Sequence, residues 1–447
     1  MIANRVEKGR YLDSVALMRV SRRLCALPGV DAAAAMIGTP ANKDLMRDAG
    51  LLAKDGESAG PNDLIIAVRG AEAQAALDKA LGFLSDRPAE TTALSHARSL
   101  KGALQALPDA NLALVSVPGV FAAHEARAAL ERGLNVLIFS DNVPIEDELA
   151  LKNLAKERGL LLMGPDCGTA LIGGTPLAFA NAVPRGDIGI VSASGTGLQE
   201  VSTLIARLGG GVSHGIGVGG RDLDQRIGAL ATLAAIEALE ADPGTSKIVL
   251  ISKPPSPRVA ARVTERLKTS PKPSIVCFIG AEGVTLRGAA ESAAGRRLEW
   301  PDRPKVSPTA GKVIGLYCGG TLCAEAESIV GGRGQFVDLG DDEYTRGRPH
   351  PMIEPELRDE HLARALADPQ VSVLLFDVVL GYGSHGNPAQ VLVDALKGTK
   401  KLAVASVTGT EADPQVLSRQ VAILKAAGVI VAPSNAHAAE FAASIAG

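Results

Sequence analysis

Aromatic side chains are scarce in this sequence, 3% of 447 residues, and its five cysteines (Cys25, Cys167, Cys277, Cys318 and Cys323) never fall into a CxxC pair. The first shortage leaves Ala, Gly, Val and Leu to build the cores, a composition suited to helices packed closely on parallel sheets. The second excludes a disulfide frame and a structural zinc site, and reads as reduced thiols. Basic charge is not in excess either: the formal net charge is −3 and the isoelectric point about 6.2. Without a basic patch the chain is not expected to bind nucleic acid. No uninterrupted apolar run approaches the roughly 18 residues of a membrane span. The opening stretch MIANRVEKGRYLDSV has no apolar signal core. The expected location is cytoplasmic, away from membranes. With 46% apolar residues, the chain has material for roughly three domains of ordinary size.

What is present is organised around Gly186–Leu208, GDIGIVSASGTGLQEVSTLIARL. Ile188–Val191 is a short apolar, β-branched run, the mark of a buried parallel strand. It leads into Ser192, Ala193, Ser194, Gly195, Thr196 and Gly197. Apolar residues then recur at Leu198, Val201, Leu204, Ile205 and Leu208, a helical spacing. The order strand, small-residue loop, helix leaves unpaired N–H groups and a partial positive charge at one corner. Glycines let a ligand approach that backbone, so the corner suits a phosphate or carboxylate. An ordinary tight turn would use the same residues.

Elsewhere Ser14–Met18, Val30–Ile37 and Asp63–Val68 read as strands, with Ala71–Leu84 the clearest helix near them. Residues 85–108 and 286–310 are polar and read as linkers. Between them lie strands Leu112–Val117, Asn135–Phe139 and Leu160–Met163, with helices Phe121–Arg132 and Ile145–Arg158. Pro165, Asp166 and Cys167 follow the last of these strands. Further on come a corner with Gly217, Gly219 and Gly220, strand Lys247–Ile251 ending near Lys253, helix Arg258–Leu267 and strand Ser274–Ile279. A last unit has strands at Val313–Tyr317, Gln335–Leu339, Val371–Val379, Leu402–Val407 and Val429–Val431. Its first corner holds Gly319, Gly320 and Thr321, and helix Leu322–Val330 follows. This unit repeats the plan strand, small-residue corner, helix, and looks like a distant duplication of the one before it. In open parallel sheets ligands sit outside the carboxyl ends of strands, where these corners are.

Nine stretches carry a family resemblance: MIGTPANKDL (Met36–Leu45), PDANLALVSVPG (Pro108–Gly119), FSDNVPIEDEL (Phe139–Leu149), LLMGPDCGTALIGGTPLAFAN (Leu161–Asn181), ASGTGLQE (Ala193–Glu200), GVGGRDL (Gly217–Leu223), SKPP (Ser252–Pro255), DLGDDEYTRGRPHPMIEP (Asp338–Pro355) and SVTGTEADPQ (Ser406–Gln415). On these the chain resembles the FdrA family of acyl-CoA synthetase-like proteins, within the succinyl-CoA synthetase superfamily. Residues 109–285 are similar to the synthetase α subunit and 311–447 to the carboxy-terminal domain of its β subunit. The resemblance implies an α/β fold of several Rossmann-like and flavodoxin-like parallel-sheet domains, without an ATP-grasp domain. It divides the chain into a small α/β region (1–95), a CoA-binding-like Rossmann domain (96–185) and two flavodoxin-like domains (186–305 and 306–447).

Departures from the synthetase pattern shape the chemistry expected. No glycine-rich phosphate loop follows Ser14–Met18. The loop after Ser274–Ile279, where the synthetase phosphorylates a histidine, reads Gly280-Ala281-Glu282-Gly283-Val284-Thr285. A synthetase carboxylate position looks like Lys253 here, an ammonium able to bind an anion. The FdrA family has been linked to oxamate carbamoyltransferase, which converts oxalurate and phosphate to oxamate and carbamoyl phosphate in allantoin breakdown. The resemblance thus implies a carbamoyl or acyl transferase with phosphate or carbamoyl phosphate as substrate. Partner subunits, in a homo- or hetero-oligomer, and a small-molecule substrate are implied with it. An acid–CoA ligase using coenzyme A, or a non-catalytic binding or scaffold subunit, are the alternatives.

Ser192, Ser194, Gly195, Thr196 and Gly197 are the first anion-site candidates, with Gly217, Gly219, Gly220, Pro165, Asp166, Cys167, Gly319, Gly320 and Thr321 as further ligand-binding residues. Close packing of helix on strand is the other reading of the glycines. Lys253 is the catalytic candidate for charge neutralisation, and His385, in a glycine-rich loop, for proton transfer; solvated side chains are the competing readings. Cys167 is a candidate nucleophile or a packed thiol. His350 could join an anion cluster with Arg346 and Arg348 or sit in a structural turn, and His124 reads as packing or solvent-facing. Asp341, Asp342 and Glu343, being adjacent, point in different directions, so no metal site is read there.

Overall fold

A computed structural model of the chain describes residues 1–10, 14–85, 97, 99–345 and 349–446. Two compact units are distinguished, one covering Met1–Ala97 with Arg346–Pro349, the other Arg98–Thr345 with His350–Gly447.

The first unit runs β1 (Ile2–Glu7), α1 (Ser14–Cys25), β2 (Val30–Ile37), α2 (Pro40–Asp48), α3 (Lys54–Glu57), β3 (Leu64–Gly70) and α4 (Ala73–Ser85). Its antiparallel sheet has the order β1-β3-β2. Leu64–Val68 of the central strand are all fully buried. Alternation sends Leu64, Ile66 and Val68 against α1 and α4, and Ile65 and Ala67 against Met46 and Leu51. The strand expected at Ser14–Met18 is instead the start of α1. Leu17, Val20 and Leu24 are buried on one side of it, and their spacing of three and four residues is helical rather than alternating. The edge strand β1 has no counterpart among the strands expected from the sequence.

The second unit begins with α5 (Leu100–Ala106), β4 (Leu112–Val115), α6 (Gly119–Leu130), β5 (Asn135–Ile138), α7 (Ile145–Glu157) and β6 (Leu162–Met163). Strands β4-β5-β6 form a parallel sheet. Of the linker expected at 85–108, residues 86–96 and 98 lie outside the described residues. Leu100–Ala106 is helical, its start capped by the Ser99 hydroxyl, which accepts the Gly102 N–H.

Next come β7 (Thr169–Ile172), β8 (Thr175–Ala178), β9 (Arg185–Ser192), α8 (Gly195–Arg207), β10 (Val212–Gly217), α9 (Leu230–Ala241), β11 (Lys247–Ser252), α10 (Pro257–Lys268), β12 (Ser274–Phe278) and α11 (Leu286–Ala294). The sheet order is β12-β11-β9-β10-β7-β8. Strands β9 to β12 are parallel, and the β7–β8 hairpin adds antiparallel to β10. The linker expected at 286–310 therefore begins with a helix. Thr285 caps α11, and Leu286, Ala289, Ala290 and Ala293 are buried on one face of it.

The last domain runs β13 (Lys312–Tyr317), α12 (Gly320–Val330), β14 (Gly334–Asp338), α13 (Asp342–Thr345), α14 (Asp359–Ala367), β15 (Val371–Val379), α15 (Pro388–Ala395), β16 (Leu402–Thr408), α16 (Leu417–Ala426), β17 (Ile430–Ala432) and α17 (Asn435–Ile445). Its sheet is parallel, in the order β14-β13-β15-β16-β17. Leu198, Val201, Leu204 and Ile205 of α8 share one core with Leu322 and Ala326 of α12 and Phe441 of α17. Residues Thr196–Ile205 of α8 are buried without a break. A helix buried on every side is an interior element. Thus α8 and α12, the equivalent helices of the two domains, lie side by side inside this unit. No helix among the described residues is long and apolar enough to cross a membrane.

That shared interior holds two carboxylates in equivalent positions, Glu200 of Gly195-Thr196-Gly197-Leu198-Gln199-Glu200 and Glu325 of Gly320-Thr321-Leu322-Cys323-Ala324-Glu325. Asn435 joins them. Its N–H donates to Glu200 Oε1 at 3.0 Å, and its Nδ2 to Glu325 Oε2 at 2.7 Å. The Thr408 hydroxyl and the Leu286 N–H donate to the remaining oxygens. Burial pushes the Glu325 carboxyl up to about 7, against the pull of the Asn435 and Leu286 hydrogen bonds. A carboxyl with an ordinary value of 4.5 unfolded and about 7 folded keeps its proton longer in the folded chain. Its contribution is complete below the unfolded value and is lost as pH rises towards the folded one, on the order of 3 kcal/mol in all. Glu325→Gln should remove this decline. In urea unfolding of the chain at pH 5 and pH 8, the wild type should lose more stability between the two than the variant. Equal losses would show that Glu325 is ionised throughout.

Candidate functional site

The helices α8 and α12 start close together. A Cβ on Gly319 would stand within 3.0 Å of the Thr196 side chain, so only glycine lets the corner after β13 approach the start of α8. At the α8 corner the Ser194 hydroxyl accepts the Gly197 N–H at 2.9 Å. Ser192 Oγ accepts the Ser194 N–H at 3.1 Å and donates to the Ser194 carbonyl at 2.7 Å. Both serines thus help to shape the corner. The amides of Gly195 and Thr196 are left at the open end of the helix.

The matching corner after β13 is arranged differently. Asp377 lies inside β15 and is fully buried. One of its oxygens accepts the Cys318 N–H at 2.9 Å and the other the Gly319 N–H at 2.8 Å. Arg358 Nη2 pairs with Asp377 Oδ1 at 2.6 Å and with the Asp377 carbonyl at 2.7 Å. A carboxylate of the chain itself therefore holds the amides of Cys318 and Gly319, the two residues before α12, and not those of Gly320 and Thr321. Thr321, one residue into α12, is buried. The Cys318 thiol donates to Asp377 at 3.3 Å, and burial beside that carboxylate pushes it well up from its ordinary value.

Lys253 follows β11, and its Nζ lies 3.8 Å from Asp338 Oδ2 at the end of β14. Both atoms come within 2.7 Å of the place a Cβ would take on Gly320, so ammonium and carboxylate meet beside the first turn of α12. Lys253 is 53% exposed and Asp338 22%. Burial pushes the Asp338 carboxyl up, while Lys253 and the Gly340 N–H draw it back down. His350 Nε2 and Asp338 Oδ1 both stand close to Gly340. The imidazole ring stacks at a tilt on Phe179, centroids 6.0 Å apart, and Phe179 in turn lies 5.5 Å from Phe139.

The remaining candidates fall into two groups. Pro165, Asp166 and Cys167 meet Gly217, Gly219 and Gly220 at close range. A Cβ on Gly217 would stand 2.6 Å from Cys167 Sγ, and one on Gly220 3.3 Å from Asp166 Oδ2. The Cys167 thiol donates to the carbonyls of Thr169 and Gly217, and burial pushes it up to about 12. It is a packed thiol, since a nucleophile needs the thiolate. Beneath this corner, Lys152 donates to Glu148 and Asp222, each at 2.8 Å, all three side chains being almost wholly buried. His385 sits in the loop after β15, its N–H donating to the Met352 carbonyl at 2.7 Å and its Nδ1 accepting the Asn387 N–H. Gln415 holds that loop by hydrogen bonds to both Gly381 N–H and Gly381 carbonyl. Arg346 and Arg348 lie outside the described residues.

Sequence reasoning missed Asp338, Asp377 and the Glu200–Glu325 pair as structural partners of the site. Asp377 had a signal: it is the one charged residue in the apolar strand VSVLLFDVV. The paired glutamates had one too, the repeated Gly-Thr with Glu four residues after the Thr.

Parallel sheets whose corner helices meet start to start make this an α/β protein. The family described as CoA-ligase matches residues 316–445, and the family described as AllF, heavy metal-associated domain, matches residues 1–99. The uncharacterised protein YahF of Escherichia coli K12 is 40% identical over 494 aligned positions, spanning 97% of this chain and 96% of YahF. The chain belongs to the FdrA-like family of acyl-CoA synthetase-like proteins, as YahF does. A succinate–CoA ligase α subunit of Archaeoglobus fulgidus is 32% identical over 149 residues, which is 32% of this chain and 50% of that subunit. Among solved structures, a dinucleotide-forming acetyl-coenzyme A synthetase of Ca. Korarchaeum cryptofilum is 17% identical, covering 75% of this chain and 82% of its own, with a TM-score of 0.31.

Proposed function

We propose that this chain transfers a carbamoyl or acyl group to or from phosphate. The specific reaction is that of an oxamate carbamoyltransferase: oxalurate and phosphate give oxamate and carbamoyl phosphate. The observation that carries it is the placement of Lys253 beside the first turn of α12, where the start of α8 also arrives. Such a place suits a phosphate dianion, and transfer between oxyanions needs mainly positioning and charge neutralisation. The loop after β12 has no histidine to carry a phosphoryl group, which favours phosphate itself as the nucleophile. In this reading Asp338, 3.8 Å from Lys253, would pass the proton of phosphate to the leaving nitrogen.

Acid–CoA ligation is the second reading. It is favoured by the likeness of residues 316–445 to the CoA-ligase family and by the succinate–CoA ligase relatives, which are named as subunits. Either reaction would then be carried out with partner subunits. Assays of the purified chain, alone and with co-encoded partners, separate the two. Release of carbamoyl phosphate and oxamate from oxalurate and phosphate is expected. A coenzyme A thioester formed only when ATP or GTP is added would overturn the first reading in favour of the second.

A further inference from the structure

We infer that His350 is a catalytic residue, whose Nε2–H holds the carbonyl oxygen of the group being transferred. This rests on the carbamoyl or acyl transfer reading above and assigns to it the donor that reading lacks.

The tautomer is set by the backbone. His350 Nδ1 accepts the Met352 N–H at 3.2 Å, so the ring proton of the neutral imidazole resides on Nε2. Nε2 itself has no hydrogen-bond partner among the described residues. It points to the corner after β14: a Cβ on Gly340 would stand 2.8 Å from Nε2 and 3.2 Å from Asp338 Oδ1. The lack of a side chain at Gly340 therefore leaves room for both the imidazole edge and the carboxylate paired with Lys253 beside one backbone position. The ring is also tilted against that of Phe179. Position, tautomer and backing are all fixed before any ligand arrives, the condition under which a single donor is most effective.

The charges around the ring keep it neutral. Burial, and after it the Arg358 guanidinium, lowers the His350 imidazole to about 4. The Asp338 carboxyl, also beside Gly340, is held towards its own proton by burial. A neutral donor suits this chemistry. An imidazolium would pair with phosphate and stay there, whereas a neutral N–H can polarise a carbonyl without giving up its proton.

The step balances without another reagent. An oxygen of monohydrogen phosphate forms a bond to the carbamoyl carbon of oxalurate, and the carbonyl oxygen becomes an oxyanion on His350 Nε2–H. Collapse restores the carbonyl and breaks the carbon–nitrogen bond. The proton brought by phosphate ends on the nitrogen of oxamate, and His350 finishes as it began.

The test uses the full chain with its co-encoded partners, as wild type, His350→Ala and His350→Gln. Carbamoyl transfer by His350→Ala should fall about 100-fold in kcat with little change in KM for phosphate. His350→Gln, which keeps an N–H donor, should recover part of it. Because the ring does not titrate near neutrality, the pH profile of the variants should keep the shape of the wild type. Independently, 15N-imidazole spectra of the histidine-labelled chain should show an Nε2–H signal, absent from His350→Gln. That signal should be unchanged from pH 6 to 8 and move on addition of carbamoyl phosphate. Full activity in His350→Ala, or a His350 signal that titrates near 6.5 or ignores carbamoyl phosphate, overturns the inference and leaves the transferase reading standing. Failure of the wild type to transfer carbamoyl groups overturns the transferase reading. The spectra then decide on His350 alone, with a shift on carbamoyl phosphate upholding its contact with an acyl phosphate.

Discussion

Asp377→Ala is expected to cost the folded chain about 3–5 kcal/mol, a large share of the stability of an ordinary domain. The side chain is fully buried in β15 and serves four donors at once: the N–H groups of Cys318 and Gly319, the Cys318 thiol and Arg358. Alanine would leave the Arg358 guanidinium, itself buried, without its counter-charge. Two amides would be orphaned with it, each a further desolvation cost. Asp377→Asn keeps the volume but turns one acceptor into a donor facing donors, so it should also destabilise, by less. The double variant Asp377→Leu/Arg358→Met should recover much of the loss, since removing both members of a buried pair is often nearly neutral. Urea unfolding of the four proteins is the measurement. A single variant as stable as the wild type would mean that the pair contributes nothing to the fold.

Lys253→Ala is expected to reduce turnover by about 100- to 1,000-fold, or about 3–4 kcal/mol of barrier, while leaving stability almost unchanged. The ammonium is half-exposed and its pairing with Asp338 is long, at 3.8 Å. Such a pair supplies little to the fold. Its value lies in placing a cation beside the first turn of α12, where a phosphate would gather its charge. Lys253→Arg should restore activity only in part, because a planar fork does not occupy the position of a compact ammonium. Steady-state rates with phosphate varied, beside thermal melting of the same samples, distinguish the outcomes. A large fall in melting temperature, or unimpaired turnover, would remove Lys253 from the site.

Much of the fold is legible in the sequence because parallel strands buried on both faces leave apolar runs that end in small residues. Ile188–Val191 and Val371–Val379 are such runs, and their corners lie where the sequence puts them. Ser14–Met18 misleads because a short apolar segment fits either period, and only Val20 and Leu24 beyond it settle the helix. The hairpin Thr169–Ala178 escapes notice because Gly173 and Gly174 mark its turn inside a segment that also carries a family motif. At the site, residues near one another in sequence are legible as corners. The meeting of Lys253 with Asp338 and His350 is not, since nothing local to residue 253 says which strand end of another domain it will face. The serines of the α8 corner show a different limit: a hydroxyl that shapes a loop and one that binds a ligand look the same in sequence.

The duplicated plan of α8 and α12 has one consequence beyond geometry. Two corners of the same design stand start to start, yet the amides just before each helix are held differently. Before α12 the Cys318 and Gly319 N–H groups go to the buried carboxylate of Asp377. Before α8 the Ala193 and Ser194 N–H groups go to the Ile251 carbonyl and the Ser192 hydroxyl. One abutment is tied by a charge and the other by neutral groups, so a scaffold of one plan is asymmetric in what it would lose if a single side chain changed.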